Sequence, residues 1–399
     1  MKFERINVIV LDSVGIGALP DAPDFGDEGS HTLGHICAQV PDMKLPNLAA
    51  LGLGNIAPLA SIAQADNPLA CYGKMAEVSV GKDTMTGHWE LMGLEVKVPF
   101  QVYSDGFPAA LIGKFEAMTG RKVIGNKPAS GTEILDEYGE EQLRTGAWIV
   151  YTSGDSVFQI AAHENVIPLN ELYHACEIAR ELTLNDPYVV GRVIARPYIG
   201  EPGAYKRTSN RHDYALEPFG ETVLDHLKDE GLDVISVGKI NDIFTGKGIS
   251  ESYPTKSNLD GIRATIKLLN RPFKGLLFTN LVDFDSLYGH RRDPKGYAAC
   301  LEEFDQYVPE LMQQIGDNDL LIITADHGND PTAPGTDHTR EYVPILIYSP
   351  SLAKDSVSIG TRNTFADLAA TIAENFMVTK PAIGESFLEL LVNQTNNEE

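Results

Sequence analysis

Cysteine and positive charge are both scarce in this chain. Its 399 residues hold 4 cysteines (Cys37, Cys71, Cys176 and Cys300), and no two of them form a CxxC pair. That argues against a disulfide scaffold and a cysteine-built zinc cluster. It reads as a set of reduced, mostly buried thiols in a cytoplasmic protein. Lys and Arg number 32 against 56 Asp and Glu, a formal net charge of −24. Such a surface repels nucleic acid and anionic membrane, so neither is expected as a partner. Anionic small substrates remain open, provided their charge is met locally by metal ions or a basic pocket. Long apolar runs are also missing. The opening stretch carries Lys2, Glu4, Arg5, Asp12 and Pro20, with no signal-peptide run, and no later segment is long enough to span a bilayer. What is present is a globular composition, 43% hydrophobic and 22% charged, with length for two domains.

Six short apolar runs, rich in β-branched residues, read as buried strands: Ile6–Leu11, Trp148–Tyr151, Val234–Val237, Leu276–Leu281, Leu320–Thr324 and Val343–Tyr348. Helix-like stretches such as Gly261–Leu269 and Ala299–Ile315 alternate with them. The expectation is an α/β protein with a mostly parallel central sheet flanked by helices. The middle of the chain differs. After Pro99 come short mixed segments and a basic tract with Arg192, Arg196, Lys206, Arg207 and Arg211. This suggests an inserted smaller domain over residues 99–216, with residues 1–98 and 217–399 forming a discontinuous core. The tail Asn393–Glu399 reads as frayed.

Parallel sheets gather ligands at the carboxyl ends of their strands. Here the Ile6–Leu11 run leads into Asp12, Leu276–Leu281 into Asp283 and Asp285, and Leu320–Thr324 into Asp326, His327 and Gly328. The densest stretches are DFDSLYGH at 283–290, ADHGND at 325–330 and DHTRE at 337–341. A single Asp at a strand end is more often a helix cap, and a single His a hydrogen-bonded loop residue. Three strand ends carrying Asp, two of them with His close behind, point to metal. Carboxylate with neutral imidazole suits Mn²⁺ or Zn²⁺ better than Mg²⁺. Seven candidate ligands are Asp12, Thr84, Asp285, His290, Asp326, His327 and His338. That is too many for one tetrahedral ion and suits a pair, which could clamp a nucleophilic and a phosphoryl oxygen together. Adjacent Asp326 and His327 would serve such a pair if Gly328 lets the chain turn.

A nucleophile is expected in VGKDTMTGHWELMG, residues 80–93, a polar loop flanked by Gly. A hydroxyl is weak until a base or metal activates it. Thr84 and Thr86 both qualify, with Ser79 weaker, and Thr86 doubles as a possible N-cap for a short helix. Spacing does not choose between the threonines.

Six ordered motifs, VLDSVGIGALPDA at 10–22, GKDTMTGHWELMG at 81–93, YTSGDSVFQIAAHE at 151–164, RPYIGEPGAYKRTSNRHDYAL at 196–216, DFDSLYGHRRD at 283–293 and TADHGNDPTAPGTDHTRE at 324–341, resemble those of the phosphopentomutases, a family of the alkaline phosphatase superfamily. The resemblance covers essentially the whole chain. It implies an alkaline-phosphatase-like core with an inserted α+β cap domain, and two Mn²⁺ ions. Asp12, Thr84, Asp326 and His327 would surround one ion, and Asp285, His290 and His338 the other. It implies Thr84 as the nucleophile, carried as phosphothreonine and primed by glucose 1,6-bisphosphate or a pentose 1,5-bisphosphate. The implied reaction interconverts ribose 1-phosphate and ribose 5-phosphate, and their 2-deoxy counterparts.

A sugar phosphate needs a second grip, and Arg binds phosphate in a bidentate manner. Arg192, Arg207 and Arg211 are expected to supply it, with Lys239 from the core, and Asp155 to accept from sugar hydroxyls. The cap would exclude water from the phosphoenzyme, which separates a mutase from a phosphatase. Nothing in the sequence sets an oligomeric state.

Overall fold

The computed structural model describes residues 2–153, 156–185, 187–352 and 356–392. The chain divides into two compact units, Met1–Val98 with Pro218–Glu399, and Pro99–Glu217. Among the described residues no helix is long and apolar enough to cross a membrane.

The larger unit is built on an eight-stranded sheet. Its order is Glu251–Tyr253, Asp233–Val237, Gly275–Leu281, Arg5–Leu11, Asp319–Thr324, Val343–Tyr348, Cys71–Met75 and Ser358–Arg362. The first five strands run parallel, Val343–Tyr348 is antiparallel to both neighbours, and the last pair is parallel again. Gly275–Leu281 and Asp319–Thr324 are buried along their whole length. Both faces of the sheet are covered, which is why these runs are continuously apolar rather than alternating. Val10 lies level with Asn280 on one side and Thr324 on the other, so the carboxyl ends of three adjacent strands finish together.

The helices begin where their caps dictate. Ser257 caps Asn258–Leu269 by accepting from the Asp260 N–H at 3.2 Å. The helix expected from Ala299 starts earlier, at Pro294, and runs to Gln313. Proline at the first helical position loses a donor that would have no intrahelical partner anyway, and Asp293 caps it.

The smaller unit carries its own six-stranded mixed sheet, in the order Val123–Pro128, Trp148–Thr152, Val157–His163, Arg192–Ile199 and Lys206–Arg207, with His212–Ala215 also paired to Arg192–Ile199. The Trp148–Tyr151 run is therefore a strand of this second sheet. Phe107, Leu111, Phe115, Trp148, Phe158 and Leu172 belong to one of its apolar clusters, and Ile134, Leu135, Ile149 and Tyr198 to another.

One short helix of the larger unit positions the site. Thr84–Leu91 is capped by Asp83, whose Oδ1 accepts from the N–H groups of Met85 and Thr86. Thr86 is thus the third helical residue and not the cap: Asp83 is extended, one residue before the helix, with its carboxylate turned onto the first turn, which is what a cap requires. The Thr86 hydroxyl donates to Asp83 Oδ2, which withdraws it from nucleophilic duty. Buried Glu90 gathers the N–H groups of Val78, Ser79 and Phe365 and the Thr364 hydroxyl. Trp89 Nε1 donates to the Ile243 carbonyl at 3.0 Å. Gly87 allows the helix to touch the next strand end, since a Cβ there would lie 2.0 Å from the Asp326 carbonyl oxygen. Gly87→Ala is expected to destabilise the unit by about 1–3 kcal/mol through overpacking. Thermal denaturation should show a lowered midpoint and metal titration a weakened site.

Candidate metal centre and nucleophile

Asp12, Asp285 and Asp326 stand just past the three adjacent strand ends, and all three are buried. The protein holds one oxygen of each. Asp12 Oδ2 accepts from Asn280 Nδ2 at 2.9 Å, Asp326 Oδ1 from the Ser13 N–H at 3.0 Å, and Asp285 Oδ1 from Asn329 Nδ2 at 2.7 Å. Asp12 Oδ1 is buried and lacks any hydrogen-bond partner, and Asp326 Oδ2, buried as well, has only imidazoles beside it, His88 Nδ1 at 3.1 Å and His327 Nε2 at 3.3 Å. An orphaned buried carboxylate oxygen is costly unless a cation meets it.

Three histidines complete the cluster, each held in the same way. His327 Nδ1 donates to the Gly328 carbonyl (3.0 Å), His338 Nδ1 to the Lys82 carbonyl (2.9 Å) and His290 Nδ1 to the Thr336 carbonyl (2.6 Å). This leaves every Nε2 lone pair aimed into the site, the arrangement that metal-ligating imidazoles adopt. His327 Nε2 lies 3.5 Å from Asp12 Oδ1, 3.3 Å from Asp326 Oδ2 and 3.2 Å from Thr84 Oγ1. His338 Nε2 is 3.3 Å from Asp285 Oδ1 and 3.1 Å from His290 Nε2, and His290 Nε2 is 3.1 Å from Asp285 Oδ2. Two imidazole lone pairs facing at that distance repel unless a proton or a cation lies between them.

Two overlapping triads have the spacing to hold a metal ion: Asp12, Asp326 and His327, and Asp285, His327 and His338. His327 belongs to both triads, and its ring stacks on that of His338 with centroids 4.0 Å apart. Asp285 and His290 meet through a π-helical turn, Phe284–Gly289, in which the His290 N–H donates to the Asp285 carbonyl five residues back. On an α-helix that offset would turn the two side chains about 140° apart. The chain bends at Asp326 and His327, just before Gly328, and Gly328 itself has no positive φ. Its small size is needed by buried Glu341, since a Cβ there would lie 2.6 Å from the Glu341 carboxylate.

Charge in the cluster is unbalanced. For His327, burial opposes protonation, but Asp326 and Asp12 together hold the imidazole well above its ordinary range. Burial and then the Asp326 charge push Asp12 up. Burial would raise Asp285 as well, but His338 and His290 hold it well below the usual carboxylate range.

Several supporting residues carry no mark in the sequence. Ser13 adopts φ 72°, a left-handed conformation rare for serine, which turns its N–H onto Asp326 while its hydroxyl meets Tyr297 OH at 2.9 Å. Buried Arg340 donates to the carbonyls of Glu77, Ser79 and Gly81 and to the carboxylates of Glu77 and Asp21. With His338 on the Lys82 carbonyl, it clasps the loop that leads to Thr84. Arg292 ties the Gly289 carbonyl to Asn329 and to the carbonyls of Asp330, Gly335 and Asp337. Within DHTRE and GHRRD these arginines look like surface charges.

The expected substrate residues are spread over both units. In the smaller one, Arg211 makes two 2.6 Å bonds to Asp213, and Arg192 lies 3.9 Å from the same carboxylate. Burial works against ionisation of Asp213, yet Arg211, Arg192 and Arg196 hold it below the usual range. Exposed Arg207 is in its short strand, close to Gly131. Exposed Lys239 follows the Asp233–Val237 strand of the larger unit. Asp155 lies outside the described residues.

A sheet edge that gathers three carboxylates and three imidazoles around orphaned oxygens defines an α/β metal-binding protein. The model of the metalloenzyme superfamily matches residues 4–380, and the chain belongs to that superfamily. Similar solved structures include a protein from Pyrococcus horikoshii, at 13% identity over 94% of this chain and 97% of that one, TM-score 0.48. A Leishmania mexicana phosphoglycerate mutase matches at 13% identity over 96% and 97%, TM-score 0.48. An alkaline phosphatase from the Antarctic bacterium TAB5 matches at 11% identity over 95% and 99%, TM-score 0.33.

Because His327 holds a proton in the cation-free protein beyond its ordinary range, a cation must displace that proton to bind. Cation affinity is therefore expected to rise with pH through neutrality, with net proton release on binding. Calorimetric titration with Mn²⁺ in buffers of different ionisation enthalpy reads both effects.

Proposed function

We propose that this chain is a phosphopentomutase, interconverting ribose 1-phosphate and ribose 5-phosphate, and the 2-deoxy sugars, through a phosphothreonine and a pentose 1,5-bisphosphate. The observation that carries this reading is the place of Thr84. Its hydroxyl opens a helix and meets His327 Nε2 at 3.2 Å, at the edge of the Asp and His cluster, inside a motif that resembles the phosphopentomutases.

Phosphate on Thr84 Oγ1 would sit at the positive end of the Thr84–Leu91 helix, which favours an anion. The sugar hydroxyl attacks phosphorus, the P–Oγ1 bond breaks, and Thr84 Oγ1 leaves as an alkoxide that takes up the proton the sugar hydroxyl gives off. The pentose 1,5-bisphosphate then returns its other phosphate to Thr84 by the reverse step. Two bound divalent cations, Mn²⁺ in this reading, would supply the charge that stabilises the transferring group and the leaving oxygen. Asp12, Asp326 and His327 would hold one, and Asp285, His290 and His338 the other. The rest of the catalysis is positioning, as expected for phosphoryl transfer. Arg192, Arg207, Arg211, Asp155 and Lys239 are the residues this reading would have recognise the sugar phosphate. All four cysteines are buried and free, which fits a reducing cytoplasm.

Exposure to glucose 1,6-bisphosphate is expected to add one phosphoryl group to the intact protein and none to Thr84→Ala, by mass spectrometry. The same variant should lose mutase turnover by at least about 10³-fold, as loss of a covalent nucleophile does. Release of inorganic phosphate from ribose 5-phosphate without ribose 1-phosphate would mark a phosphatase and sink the mutase assignment. Arg207→Ala is expected to raise KM more than it lowers kcat, because it removes binding common to ground and transition states.

A further inference from the structure

Behind the metal centre, and outside its ligand set, lie two buried polar side chains, His88 and Asn280. His88 Nδ1 is 2.8 Å from the Thr84 carbonyl oxygen, four residues back on the same helix, and 3.1 Å from Asp326 Oδ2; both neighbours only accept, so Nδ1 carries the proton and Nε2 the lone pair. Asn280 Nδ2 lies 3.3 Å from that Nε2 and 2.9 Å from Asp12 Oδ2, and it has one proton for each. The opposite amide orientation would aim Asn280 Oδ1 at a carboxylate oxygen and a lone pair at once. Asn280 Oδ1 itself has no hydrogen-bond partner. Leaving that acceptor buried and unmade costs about 1–3 kcal/mol, so the side chain is oriented by what it donates.

We propose that His88 and Asn280 form a positioning relay that ties Thr84 to Asp12. The Thr84 carbonyl, with the Asp326 carboxylate beside it, sets the His88 tautomer, His88 sets the Asn280 amide, and the amide takes Asp12 Oδ2. Asp12 Oδ1 is thereby left as the oxygen offered to the cation, and it is the orphaned one. A shift of the helix that bears the nucleophile is felt at the carboxylate of the first strand through three hydrogen bonds. Neither residue touches a reacting atom. The relay rests on the metal-centre reading and on Thr84 as nucleophile.

The test uses the full chain, stripped of metal and titrated calorimetrically with Co²⁺ alone, with the visible spectrum of bound Co²⁺ followed in parallel. Thermal denaturation checks the fold of each variant. Wild type is expected to take two ions. Asn280→Ala should weaken one of them about 10–100-fold, the usual effect of losing an orienting partner, and change its spectrum. His88→Ala should weaken the same ion. The double variant should be no worse than the poorer single, since links of one chain do not add. His88→Gln, which can return an acceptor to Asn280, should recover affinity that His88→Ala loses. Unchanged Co²⁺ affinity in Asn280→Ala, losses that multiply in the double variant, or a glutamine no better than alanine would each overturn the relay. Wild type that takes up no Co²⁺ overturns the metal centre and the relay with it. A Thr84 that accepts no phosphoryl group leaves the calorimetry intact and sinks only the choice of nucleophile.

Discussion

Three buried carboxylates at one sheet edge repel one another, and the structure depends on how that repulsion is met. Asp12, Asp285 and Asp326 cannot all stay ionised in a dry pocket without compensating charge. The protein supplies only part of it, through imidazoles and single hydrogen bonds to one oxygen of each carboxylate. The remaining oxygens of Asp12 and Asp326 face only imidazoles, His327 at 3.5 and 3.3 Å and, for Asp326, His88 at 3.1 Å. A fold that wanted only stability would replace such groups with apolar ones. Keeping them makes sense where divalent cations complete the balance.

The surroundings serve that balance by rigidity. Each ligand histidine is locked through Nδ1 to a backbone carbonyl, so its rotation costs a hydrogen bond. Arg340 and His338 hold the loop from Glu77 to Lys82 from two sides, and Asp83 then starts the helix that presents Thr84. Nucleophile and metal ligands thus share one scaffold, and positioning is what phosphoryl transfer demands of a protein.

Much of the fold was legible in the sequence because its causes are local. Short, largely apolar runs such as Leu276–Leu281 and Leu320–Thr324 read as strands buried on both faces, and the Asp residues that follow them announce the sheet edge. Where sequence reading went astray, local cues competed. Thr86 and Asp83 are both acceptable caps, and only the helix start separates them. Gly328 follows the bend its sequence suggests, and it also leaves room for Glu341, a contact made 13 residues later in the chain that no local cue announces.

The sequence by itself determined the α/β class, the alternation of strands and helices, and the Asp residues that stand at the three strand ends. Those follow from periodicity and from residue chemistry at strand ends. Tertiary structure alone decided that His327 reaches both triads, that a π-helical turn brings His290 to Asp285, and that His88, Asn280, Asn329 and Arg340 stand behind the ligands. The physical reason is that a hydrogen bond between residues far apart in the chain, such as Asn280 to Asp12, leaves no period or spacing behind it. It exists only once the strands have paired in register.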